Sequence, residues 1–184
     1  MLQQSCEYEH TVQFYEEDQF LVDAVGEFIG SGLDVGQAAI IILTPSHRQL
    51  LEAKLRVRGI DLQQAEERGQ YVALDAADTL ARFMVNDDID EKRFAEVVGG
   101  VFARVGSRYS RVRAFGEMVA LLWADQKPEA TIRLEKLWNN FGRLHPFSLL
   151  CAYPINAFIK ESAGSHFRSI CSEHMRVVPL SNLY

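Results

Sequence analysis

Glu117 follows directly on the apolar stretch Val112 to Phe115, with Gly116 between them. A carboxylate in that place has two uses. It orients a ligand or a water, or it faces the positive end of a helix that begins beside it. His10 opens another β-prone stretch, behind Glu7 and Glu9. Its imidazole either polarises a ligand or bonds a neighbouring carbonyl or carboxylate as part of the framework. Tyr15 and Tyr153 each end an apolar segment, while Trp123 and His174 lie on segments with helical spacing. These residues (His10, Tyr15, Glu117, Trp123, Tyr153 and His174) are the candidate ligand-binding set. The polar groups would fix orientation and the aromatics would wall an apolar pocket; Tyr153 serves equally well as core, and Trp138, which continues the apolar stripe of its helix, reads as core.

Other chemistry is less well supplied. Cys171-x-x-His174 puts two metal-ligand types on one helical face, and Cys6 and His10 would have to complete a tetrahedral site. That spacing is far less specific than paired CxxC motifs, and neither metal nor cofactor is expected. Cys151 lies mid-run in an apolar stretch and reads as a buried, inert thiol. Glu135, one turn from Trp138 and Asn139, reads as a solvated or capping group. No Ser/His/Asp order suggests a hydrolase. Neither GxxxxGK[ST] nor GxGxxG occurs, and the first strand-to-helix junction carries Glu16-Glu17-Asp18-Gln19. Carboxylates repel phosphates, and without glycine the backbone amides approach them poorly. No catalytic residue is assigned, and the chain is expected not to be an enzyme.

The elements that must position these groups follow from hydrophobic period. Strands are expected at His10–Tyr15, Ala38–Leu43, Tyr71–Leu74, Val112–Phe115, Phe147–Tyr153 and Arg176–Leu180. Helices are expected over 18–31, ended by Gly30 and Gly32, and through Leu50–Leu55, capped by Ser46 and closed by Gly59. A short helix capped by Asp75 or Asp78 would hold Leu80, Phe83 and Met84. Further helices are expected at 90–105, 117–125, 128–144 and about 164–174. The run Ala38–Leu43 is apolar without alternation, as in a parallel strand covered on both faces. Pro179 puts the last strand at an edge. The fold class is therefore α/β: three layers, a mostly parallel central sheet and helices on both faces. Ligands in such sheets sit at the carboxyl ends of the strands, here just after Tyr15, Leu43, Leu74, Phe115 and Tyr153.

Composition bounds the rest. The chain has 184 residues, 48% hydrophobic and 24% charged, with net charge −6. That is the balance of a globular domain and not of a disordered one. No apolar run approaches the roughly 20 residues of a membrane span, and the first residues show no secretory pattern. The acidic balance argues against direct nucleic-acid or membrane binding. Three cysteines fit the reduced thiols of a cytoplasmic protein better than a disulfide scaffold. One domain over 1–184, with its core at about 10–180, is expected.

Several segments together resemble a known family. HTVQFYE (10–16), FIGSGLDVGQAAIIILTPSH (28–47), ALDAADTLARFM (73–84), VRAFGEMVALLW (112–123), LEKLWNN (134–140) and FSLLCAYP (147–154) are similar to the MEDS domain, the DcmR-type sensory domain of methanogens and methylotrophs. The likeness runs from about 10 to 180; Gln37, where the family often has Glu, is a small departure. It implies a RecA/KaiC-like fold without a functional phosphate loop, with the acidic 16–19 stretch in the loop's place. Phe115-Gly116-Glu117 would then stand roughly where such ATPases keep their metal-holding motif.

The resemblance further implies a non-catalytic domain that senses a small organic molecule and serves signal transduction. With no helix-turn-helix before His10, output would pass to a separate partner such as a histidine kinase or transcription regulator. Self-association through the sheet edges is a further expectation. The rival readings are a residual nucleotide-binding ATPase-like protein and a ligand-free interaction adapter.

Overall fold

The computed structural model describes residues 8–145, 147–158 and 164–178. In chain order the elements are β1 (Glu9–Tyr15), α1 (Asp18–Asp34), β2 (Ala38–Leu43), α2 (Pro45–Val57), α3 (Leu62–Glu67), β3 (Tyr71–Asp75) and α4 (Ala76–Ala81). A hairpin of two short strands follows, β4 (Met84–Val85) and β5 (Asp88–Ile89), then α5 (Glu91–Gly106), β6 (Val112–Gly116), α6 (Met118–Ala124) and α7 (Pro128–Leu144). The chain continues through β7 (Ser148–Pro154), a 3-10 turn (Ile155–Phe158), α8 (Gly164–Glu173) and β8 (Arg176–Val178).

Six strands form one sheet in the order β3-β2-β6-β7-β1-β8. Every pairing in it is parallel. All strands therefore end on the same edge, and Tyr15, Leu43, Asp75, Gly116 and Pro154 mark it. β8 lies at the outside of the sheet, as expected for the final strand; Pro179 and Leu180 fall outside the described residues.

Strand alternation sorts the apolar residues into two cores. Val12, Phe14, Ile40, Ile42, Ala114, Leu149, Cys151 and Tyr153 face the layer of α4 to α8. Tyr15, Ala39, Ile41, Leu43, Phe115, Leu150 and Ala152 face α1, α2 and α3. Both faces are covered, which is why Ala38–Leu43 is apolar at every position and buried at every position. Trp138 is 1% exposed and centres an aromatic cluster with Phe94, Phe102, Phe141 and Phe147. Burying one such ring is worth about 1.5–3 kcal/mol.

Three local expectations are corrected. α1 does not stop at Gly30 and Gly32 but runs to Asp34, and the chain turns at Gly36 with φ of +77°. Gly30 and Gly32 serve close approach instead: a Cβ on either would meet the stem of Arg58 or Arg113 at 2.7 Å. α2 starts at Pro45 behind Thr44, not behind Ser46, and proline's fixed φ suits a first helical position. Asp75 caps α4 by accepting from Asp78 N, but the helix ends at Ala81, so Phe83 lies beyond it and Met84 opens β4. The short α3 and the β4–β5 hairpin were not expected.

Candidate functional site

The sequence-predicted residues fall into two groups on opposite faces of the sheet. The first gathers at the carboxyl edge on the α1/α2 side. Glu117, at the N-terminus of α6, is 3% exposed. Its carboxylate caps nothing. One oxygen accepts from Thr44 N at 2.7 Å and from Thr44 Oγ1 at 3.0 Å. The other accepts a short hydrogen bond from His47 Nδ1. Thr44, whose hydroxyl sits where a helix cap would, thus ties the end of β2 to the end of β6 instead. The far side of the His47 ring meets Asp18, with Nε2 to Oδ1 at 3.3 Å. The Glu117 hydrogen bond raises the His47 pKa above its ordinary value against the opposing cost of burial, and Asp18 adds to the rise. Tyr15 is buried on the same face, its hydroxyl pKa pushed up by burial and by Glu117 and Asp18.

Glu16, Glu17, Asp18 and Gln19 stand exposed at this edge. Glu17 precedes α1 with no side-chain cap bond, its carbonyl taking the amides of Phe20 and Leu21. A phosphate arriving here would meet carboxylates at the helix start. The positive charge that Glu117 and Asp18 share is the one His47 carries when protonated.

The second group is buried on the opposite face. His10 of β1, Cys151 and Tyr153 of β7, Glu135 of α7 and His174 just after α8 converge. Glu135 corrects the sequence reading: it is 0% exposed, neither solvated nor a cap. The stripe of α7 that carries Leu134 and Trp138 into the core carries Glu135 with it, toward two imidazoles. Its Oε2 lies 3.3 Å from His10 Nε2, and its Oε1 lies 3.5 Å from His174 Nε2. Tyr153 donates to Oε1 at 2.5 Å. Cys151 Sγ is 3.4 Å from His10 Nε2 and 3.6 Å from Glu135 Oε2.

The surroundings fix the tautomers. Asn139 Nδ2 donates to the Glu173 carbonyl at 2.8 Å, which can only accept, so Asn139 Oδ1 faces His10. His10 Nδ1, 2.9 Å from that oxygen, must carry a proton. Tyr8 donates to the same oxygen at 3.1 Å. His174 Nδ1 lies 2.7 Å from the Ile170 carbonyl and must donate too. Both rings therefore turn Nε2 toward Glu135. Burial pushes the Glu135 carboxyl up, but His174 and His10, with the Tyr153 hydroxyl, outweigh it and hold it at about 2. Burial lowers the His174 pKa despite Glu135. Burial and Glu135 push the Cys151 thiol well up, as expected of an inert thiol.

Trp123 belongs next to the second group without touching its polar centre. Its ring packs on Phe158 at 4.5 Å, and its indole N–H donates to Ala157 O at 3.2 Å. Phe158 also meets Tyr153, Phe14 and Phe167 at 5.7, 5.7 and 5.2 Å. Five rings from β1, α6, β7, the 3-10 turn and α8 thus crowd the carboxyl end of β1 and β7. Trp123, Phe158 and Phe167 are half-buried.

Of the Cys/His pattern, His174 and His10 do meet, but the cysteine beside them is Cys151. Cys6 is outside the described residues. His47, Glu135 and Asn139 were missed as site residues. Asn139 and Glu135, four apart on α7 and so on one helical face, were the signal available.

These constellations sit in a chain whose sequence matches the MEDS family (methanogen/methylotroph, DcmR sensory domain) over residues 9–168. The chain belongs to the MEDS family. Among curated proteins no sequence matches it. Among solved structures, a KaiC-like protein from the hyperthermophilic archaeon Pyrococcus horikoshii OT3 superposes with a TM-score of 0.57 at 10% identity, covering 92% of this chain and 71% of that one. The MEDS fold here is therefore RecA/KaiC-like. In it the acidic 16–19 turn follows the first strand, and Glu117 follows β6. Gln37, noted as a small departure, accepts from Arg113 Nε at 2.8 Å. No helix among the described residues is long and apolar enough to cross a membrane.

Proposed function

We infer that this MEDS domain is a non-catalytic receptor. It takes a small organic molecule at the carboxyl edge of the sheet and passes occupancy to a separate signalling protein, such as a histidine kinase or a transcription regulator. The observation that carries this reading is the ring cluster at the ends of β1 and β7. Trp123, Phe158 and Phe167 are half-buried over Phe14 and Tyr153, an apolar wall with one polar tip below it. The same edge offers phosphate a poor welcome at Glu16, Glu17 and Asp18. His10 and His174 act from beneath, through Glu135 and Tyr153, and Tyr15 and Glu117 shape the neighbouring strand end.

Ligand binding would shift the domain only by its differential affinity for two arrangements of the rings and α8. Native mass spectrometry of purified protein tests this. A co-purified organic molecule, lost on Trp123→Ala, supports the reading. Retention unaffected by Trp123→Ala overturns the site. Micromolar, magnesium-dependent ATP binding by calorimetry overturns the receptor reading in favour of the nucleotide-binding one that the KaiC-like fold keeps open.

A further inference from the structure

His10, Glu135, Cys151 and His174 come from β1, α7, β7 and the residue after α8, and all four are buried. One donor atom from each lies within 4.8 Å of every other. Through one carboxylate oxygen, Glu135 Oε2, the separations to His10 Nε2 and Cys151 Sγ are 3.3 and 3.6 Å, and those two atoms lie 3.4 Å apart, while His174 Nε2 lies 3.5 Å from the other oxygen, Oε1. Zinc bonds of about 2.0–2.1 Å to nitrogen and oxygen and 2.3 Å to thiolate place the corners of a tetrahedron roughly 3.3–3.6 Å apart. The two imidazoles are oriented as metal ligands are. Each gives its Nδ1 proton to an oxygen outside the group, Asn139 Oδ1 or Ile170 O, and turns Nε2 inward. Glu135 is steadied in the same way by Tyr153.

A second observation points to a missing occupant. Among the described residues His174 Nε2 is buried and has no hydrogen-bond partner. With its proton on Nδ1, it aims a lone pair at a carboxylate oxygen. Two electron-rich atoms do not hold each other in a dry interior; a positive partner does, either a second proton on the ring or a metal ion, and four converging donors favour the ion.

We propose that His10, Glu135, Cys151 and His174 form a closed four-ligand site for a zinc-class divalent ion. Two imidazoles, one carboxylate and one thiolate suit a borderline metal; calcium and magnesium want six or more oxygens. Charge closes as well. Cys151 loses its thiol proton to solvent on binding, and one dication with two anionic ligands is neutral. Four protein ligands leave no open position, so the ion does no hydrolytic chemistry. It staples α8 and its following residue onto β1, β7 and α7. The ligand set is not the Cys6/Cys171 arrangement that sequence spacing suggested, and it stands independently of the proposed organic ligand.

Full-length protein stripped with a chelator and titrated with Co2+ tests the site. The expected result is one ion per chain, with the strong visible bands of tetrahedral cobalt and a thiolate-to-cobalt charge-transfer band in the near ultraviolet. Zn2+ should displace the cobalt. Cys151→Ser should abolish the charge-transfer band, while Cys171→Ser leaves it unchanged. Asn139→Ala, a positioning change outside the ligand set, should weaken Co2+ binding about 10–100-fold without changing the number of thiolate ligands. Should Cys151→Ser fail to fold, the wild-type titration decides by itself. Folded wild-type protein that takes up no cobalt, or octahedral-type weak bands only, overturns the proposal. So does a charge-transfer band that survives Cys151→Ser or disappears with Cys171→Ser.

Discussion

Two histidine–carboxylate groups lie across the sheet from each other, built from the same residue types and behaving in opposite ways. At the edge, His47 sits between Glu117 and the exposed Asp18, and its side chain keeps 13% of its surface. Its carboxylates favour the protonated ring. On the α7/α8 face, His174 and Glu135 side chains keep none, and burial favours the neutral ring although a carboxylate is 3.5 Å away. Solvent access decides between the two outcomes. Where water reaches, a charged imidazole is cheap and its partners add to it. Where it does not, only the carboxylate with several donors stays charged. The edge group locks two strand ends together; the buried group holds an ionised acid that needs a counter-charge.

The sharpest way to break this contrast is to remove each acid. Glu135→Ala strips a fully buried carboxylate from two imidazoles and leaves the Tyr153 hydroxyl without its acceptor. The expected loss is about 3–5 kcal/mol in urea denaturation of metal-free protein. A loss below about 1 kcal/mol would mean that the cluster is not organised around this carboxylate.

Glu117→Ala orphans the Thr44 amide, the Thr44 hydroxyl and His47 Nδ1, all at the sheet edge. Water can replace some of these bonds, so the expected cost is smaller, about 1–3 kcal/mol. If Glu117→Ala proves costlier than Glu135→Ala, the ordering of the two groups is wrong.

The sequence displayed these two groups unequally. The six strands, the parallel sheet and most helices were legible, because Ala38–Leu43 and the stripes of α5 and α7 obey the period of their element so strictly. Helix ends were less so. Gly30 and Gly32 look like stops until Arg58 and Arg113 are seen to lie across them. Glu117 was legible as a candidate because a strand end has a known place in such sheets. Glu135 was not. A glutamate beside the α7 stripe looks solvated when only its own helix is in view, and the partners that bury it arrive from 16 to 125 residues away. His47 hid for the same reason: its acids come from a different helix start and a different strand end. Local period reports which face is apolar, not which distant side chains will neutralise a polar group on it.

The titrations sharpen the comparison further. The folded His47 pKa is above its ordinary 6.5, so its contribution is full below pH 6.5 and is lost as pH rises through the folded value. The folded His174 pKa is below 6.5, so its contribution is present above pH 6.5 and lost as pH falls through the folded value. Glu135 has the same sense, its contribution failing as pH drops from 4.5 toward 2. His47→Gln should therefore destabilise more at pH 5.5 than at pH 8.5, by an amount on the order of 1 kcal/mol. His174→Gln in metal-free protein should show the reverse order. Urea midpoints at the two pH values, with ring C–H NMR titrations, check this. Equal pH dependence in the two variants would remove the claim that burial alone separates them.

Asp18→Asn asks how far solvent screens the edge group. Asp18 is 68% exposed and meets His47 Nε2 at 3.3 Å, while the hydrogen bond from His47 Nδ1 to Glu117 stays in place. The variant keeps an acceptor oxygen and removes one charge. An exposed ion pair of this kind contributes about 0.2–1 kcal/mol, and the loss should sit at the low end, below about 0.5 kcal/mol. Its sign follows from the same linkage. The His47 pKa should fall a little toward 6.5 but remain above it, because Glu117 supplies the largest part of the rise. A salt titration separates the contributions. The Asp18 effect should fade by about 1 M salt, where the screening length is about 3 Å, while the Glu117 effect, shielded behind Thr44, should persist. If Asp18→Asn shifted His47 as much as Glu117→Gln does, the edge would be governed by the exposed acid at the start of α1 and not by the buried one that ties β2 to β6.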